Sequence, residues 1–124
     1  MKISSKIALV IGMLGLFSAN VMATQIPKEI YKPRDAKIVK ADRQGNGEFE
    51  AEFRLHADKT NVRDLAKRVI SHALDHDFSI KERKIKNDDA DLKFKRGKQE
   101  LDVSIELKDK GRIEYKADLD LDKN

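Results

Sequence analysis

The chain has 124 residues, with 26 lysines and arginines against 22 aspartates and glutamates, and it contains no cysteine. That excludes a disulfide framework, a thiolate zinc centre and a cysteine nucleophile, so the core alone must hold the fold. Charges of both signs are interleaved rather than blocked, which argues against a nucleic-acid partner.

Lys2 and Lys6 precede an apolar run from Ile7 to Phe17, and Val21-Met22-Ala23 sets small or modest residues before a cut after Ala23. This layout predicts a secretory signal peptide over residues 1–23. The apolar run is about half of the roughly 20 residues a spanning helix needs, so the chain is not expected to cross a membrane once the leader is cleaved. No cysteine follows the run, which excludes a bacterial lipoprotein, and a disulfide-free exported domain suits a bacterial periplasm. Loss of the leader leaves 24 basic against 22 acidic residues, a net charge of about +2.

Residues 24–37 hold both prolines, Pro27 and Pro33, and little periodicity, as expected of an extended lead-in with Ile30 and Tyr31 docked on a sheet edge. A partner-binding arm is the functional alternative. Residues 38–124 read as a single domain. A short strand from Ile38 to Ala41 leads to Gln44-Gly45-Asn46-Gly47, a hairpin signal, because Asn-Gly accepts positive φ. In the strand that follows, Phe49, Ala51, Phe53 and Leu55 alternate with Glu48, Glu50, Glu52 and Arg54.

From Asn61 to His76, Val62, Leu65, Ala66, Val69, Ile70, Ala73 and Leu74 recur at spacings of three and four, the stripe of an amphipathic helix capped by Thr60 or Asn61. Alternation resumes at Phe78 and Ile80 up to about Lys84, with Ile85 breaking it. It continues at Leu92 and Phe94, then from Leu101 to Leu107, and finally from Ile113 to Leu121. Turns fall at Asn87-Asp88-Asp89, Arg96-Gly97-Lys98 and Lys108-Asp109-Lys110-Gly111. The predicted fold is α+β: a ββαββββ antiparallel sheet of five to six strands with one helix on its apolar face.

Candidate chemistry is sparse. His72 and His76 share a helix face and are the candidates for a metal pair. His56 precedes the helix start, roughly 22 Å from its far end, so the three imidazoles are not expected to meet. Ser71, Ser79 and Ser104 lie in no nucleophile elbow. Glu48, Glu50 and Glu52 recur at roughly 7 Å along one strand face, as do Asp118, Asp120 and Asp122, and cross-strand lysines are expected to keep them ionised. If the strands at 78–84 and 91–95 pair, Lys81, Arg83, Lys93 and Lys95 are expected to crowd one basic patch on the solvent face.

A helix followed by a meander ending in Asp118-Leu119-Asp120 resembles the last part of PepSY-type domains, which are exported bacterial modules. Two strands ahead of the helix, an added hairpin and the lack of a glycine after the acidic pair depart from that pattern. The sequence thus predicts an exported, non-enzymatic binding or accessory module without a cofactor. Its charged sheet face or edge would meet a protein or an anionic envelope component. The alternatives are an inhibitor of a hydrolase, using a projecting loop, and a histidine-based metal-binding protein.

Overall fold

The computed structural model describes residues 26–120. The leader read at residues 1–23, and Leu121 and Asp122 of the last strand, lie outside these. The elements are β1 (Lys37–Arg43), β2 (Glu48–His56), α1 (Val62–Asp75), β3 (Ser79–Ile85), β4 (Asp89–Arg96), β5 (Gln99–Leu107) and β6 (Arg112–Asp120). All pairings are antiparallel, in the order β1-β2-β6-β5-β4-β3, so the expected α+β sheet with one helix is what forms. The meander β3 to β6 folds back until β6 pairs along the whole of β2.

One face of this sheet is apolar because the strands alternate. Phe49, Phe53, Leu92, Phe94, Leu101, Ile105, Ile113, Tyr115 and Leu119 are all at most 2% exposed. Against them α1 buries Val62, Leu65, Ala66, Val69, Ile70 and Ala73, whereas Leu74 of the predicted stripe is 48% exposed. The helix begins where Asn61 accepts from the Asp64 backbone N–H at 2.9 Å, satisfying one free donor of the first turn. It ends in paired bonds from Asp77 N–H to the Leu74 carbonyl and from Phe78 N–H to the Ala73 carbonyl. Asp77 adopts the left-handed φ of 69° that such an ending requires, a place glycine usually fills.

The helix packs chiefly on β3, β4 and β5. The arm ahead of β1 extends the cover: Ile26 and Ile30 are buried in the same core, and the Tyr115 hydroxyl donates to the Tyr31 carbonyl at 2.8 Å. Ile30 therefore lies within the core rather than at a sheet edge, and the arm is a second piece of the roof. Burial pushes the Tyr115 phenol well above its ordinary range, with Tyr31 adding to the effect, so the hydroxyl keeps the proton it donates.

Two polar ties fasten this arm beside the helix C-terminus. His72 Nε2 donates to the Lys28 carbonyl at 2.8 Å, and Arg96 Nη2 donates to Glu29 Oε2 at 2.9 Å. Arg96 Nη1 also donates to the His76 carbonyl at 2.9 Å, while Nη2 reaches Gln99 Oε1 at 2.6 Å. Gln99 in turn donates to the Asp120 carbonyl at 2.8 Å, and the Arg96 guanidinium lies 4.5 Å from the Phe78 ring centre. Burial alone would raise the Glu29 carboxyl, but its bonds to Arg96 and to backbone, with the Arg96 and Lys28 charges, hold it below its usual value.

Both outer strands are irregular. The register shifts between Ile38 and Lys40 in β1, and between Ile80 and Glu82 in β3. In β3 the expected break at Ile85 is the strand's end, and the bulge falls earlier, at Lys81.

Candidate interaction surface

The face of the sheet away from the helix is charged, and its order follows from strand pairing. Residues directly opposite on antiparallel strands share a face, so the register can be followed from edge to edge. One row runs Asp42, Glu50, Asp118, Asp102, Lys93 and Glu82 across all six strands: five carboxylates and one lysine. Beside it, Glu48 faces Asp120. At roughly 4.8 Å between strands, the row spans about 24 Å. The next row runs Lys40, Glu52, Lys116, Ser104, Asp91 and Lys84, where opposite charges alternate.

These two rows differ energetically. Opposite charges across strands contribute about 0.2–1 kcal/mol, whereas like charges directly opposite cost a similar amount. Glu50 facing Asp118, and Asp118 facing Asp102, are therefore unfavourable, and only the Lys40 to Glu50 ion pair at 2.7 Å offsets them at the β1 side. The carboxyls respond. Burial, then the Glu50 and Asp102 charges, raises Asp118 above the ordinary carboxylate range. Burial also raises Asp102; Lys93 opposes this, while Glu100, Asp120 and Glu82 add to it. A hydrogen bond with Asp120, then burial and the Asp120 charge, raises Glu48. A hollow of about 230 Å³ lies over Lys93, Asp102, Ser104, Lys116 and Asp118.

The residues expected to form a basic patch are divided by the bulge. Lys93 and Lys95 share the outer face, where Lys93 stands between Glu82 and Asp102, and Lys95 between Ser79 and Glu100. Arg83 is opposite Leu92, hence on the helix side, and Lys81 sits in the register shift without a directly opposed residue. One inserted residue reverses the alternation for the rest of the strand. The carboxylate rows of β2 and β6 were visible in the sequence as separate alternations. Only the long-range pairing of these strands makes them neighbours.

His72 and His76 do come together, with ring centres 4.3 Å apart. Each spends a ring N–H on a carbonyl: His72 Nε2 on Lys28, and His76 Nδ1 on His72 at 2.9 Å. The Tyr31 ring lies 5.6 Å from that of His72, on the side of the arm. Among the described residues no three histidine, aspartate or glutamate side chains are grouped to hold a metal. His56 bonds instead to Asp58 at 2.9 Å, beside the strand end that precedes the helix. No helix among the described residues is long and apolar enough to cross a membrane. Compared with family models, curated proteins and solved structures, the chain finds no match.

Proposed function

We propose that the chain is an exported, periplasmic, non-enzymatic binding module that offers its open sheet face to a protein with a basic surface. The observation that carries this reading is the row of five carboxylates and one lysine, in which like charges stand opposite each other although the neighbouring row alternates. A chain selected for stability alone has no use for that arrangement, and local rules tend to be broken where a surface has work to do. A cationic partner would relieve the repulsion and gain from it at once. The helix and the arm both pack on the other face, which leaves the row accessible. An anionic envelope polymer would be repelled by it. The leader-like first residues support export.

The test is retention of partner from a periplasmic extract by wild type and by Asp102→Lys/Asp118→Lys. The wild type should retain a basic protein that elutes with salt, and the variant should not. Equal recovery by both rejects the reading.

A further inference from the structure

We propose that the end of the sheet at which α1 begins holds a groove for a ligand bearing phosphate groups. This site lies four residues along β2 from Glu50, at the strand ends beyond the carboxylate row, and does not depend on the row's function. Two adjoining hollows of about 690 and 550 Å³ meet at Asp35, Leu55 and Lys59, within the size range of small-molecule sites. Eight lysines and arginines line them against three aspartates. The cations come from separate parts of the chain: Arg34 from the arm, Lys37 from β1, Arg54 from β2, Lys59 from the loop after it, Arg68 from α1 and Arg112 from β6. Folding, not a local basic run, gathers them.

Most of these charges are not spent on the protein. Among the described residues, ion pairs within 4.0 Å engage Lys40, Lys84, Arg96 and Lys108 elsewhere, but not Arg34, Lys37, Arg54, Lys59 or Arg68. Arg112 Nε is 3.3 Å from Glu114 Oε2 but out of hydrogen-bonding alignment, so that buried N–H has no hydrogen-bond partner. Of the aspartates, Asp58 is engaged by His56. Lys37 stands directly opposite Arg54 across β1 and β2, a like-charge contact that Glu114, opposite Arg54 on β6, offsets from one side only, so an anion would still add a counter-charge between the two. Four of the eight cations are arginines, whose planar forks match phosphate oxygens two at a time.

A phosphate group could belong to a soluble ester or to a lipid headgroup, and the experiment separates the two. Calorimetric titration with inorganic pyrophosphate is run beside co-sedimentation with phosphatidylcholine vesicles, with and without phosphatidylglycerol. Each uses the full chain and its Arg54→Gln/Arg68→Gln variant. Both proteins carry the same leader, so a difference between them reports the groove. Pyrophosphate heat that weakens roughly tenfold or more in the variant, as loss of charge-assisted hydrogen bonds predicts, assigns a soluble phosphate ester. Sedimentation only with phosphatidylglycerol vesicles, lost in the variant, assigns a lipid phosphate. Binding by neither probe, or binding equal in both proteins, overturns the proposal. Arg54 and Arg68 are exposed, so the variant should melt as wild type does. If it does not, the wild type alone still decides: its affinity must fall steeply as salt rises.

Discussion

At the end of the sheet where α1 stops, Arg96 donates to Glu29, to the His76 carbonyl and to Gln99, three partners in three different segments. At the end where α1 starts, Arg34, Arg54 and Arg68 line an open groove, and none has an acid within 4.0 Å among the described residues. The same side chain thus fastens the fold at one end and stands uncommitted at the other. What separates them is partnership: Arg96 and Glu29 are both less than one-third exposed and hydrogen-bonded, whereas Arg34, Arg54 and Arg68 are exposed to water. A paired, partly buried arginine is a structural part, and several unpaired ones at a concave surface are an offer to a ligand.

That contrast sets an order of expected effects. Ile30→Ala strikes the core at the fastened end and should cost about 2–5 kcal/mol in urea unfolding, because Ile30 is 1% exposed. A cost near zero would mean the arm is not part of the roof. Arg96→Ala should cost about 2–3 kcal/mol, since it leaves Glu29 part-buried without its partner. Tyr115→Phe removes one bond to the arm and should cost about 1 kcal/mol. Asp77→Gly should stabilise by about 0.5–1 kcal/mol, because glycine holds the left-handed φ of 69° without strain. At the open end, Arg54→Ala and Arg68→Ala should each stay within about 0.5 kcal/mol of wild type. A large loss there would show that these arginines hold the fold, and the contrast would fail.

Acid sets the fastened end against the carboxylate face, because its two effects have opposite signs. Glu48, Asp102 and Asp118 are raised in the folded state, so their ionisation weakens the fold. That cost is relieved as pH falls from neutrality toward their ordinary values of 4.5, 3.8 and 3.8. Glu29 is lowered, so its contribution is present above 4.5 and is lost as pH falls below that value. Urea midpoints should therefore rise on mild acidification and fall on stronger acidification. Glu48→Gln/Asp102→Asn/Asp118→Asn should abolish the rise, and Glu29→Gln should blunt the fall.

Local pattern carried much of the architecture. Alternation in Phe49 to Leu55 and in Ile113 to Leu119, the stripe of α1 apart from Leu74, and its Asn61 cap all have the form their spacing implies, while the turn before β2 takes positive φ at Gly47 alone. The charged surfaces were hidden for a physical reason. That Glu50 faces Asp118 depends on pairing strands 68 positions apart in the chain, which no window of sequence contains. The groove draws on arm, strands, loop and helix, and so has no motif. Lys81 shows how little it takes: one extra residue without a turn signal turned Arg83 away from Lys93.

The irregular margins of the sheet have a consequence for the molecule in company. An unpaired strand is an invitation to the next copy of itself, and among the described residues this sheet has two. Each is kinked by a register shift, β1 presenting Lys37 and Lys40, β3 presenting Lys81, Arg83 and Lys84. Two such borders repel one another and mismatch in step, so edgewise stacking is frustrated on both sides. The chain can leave a charged sheet face open and still resist growing into a fibre.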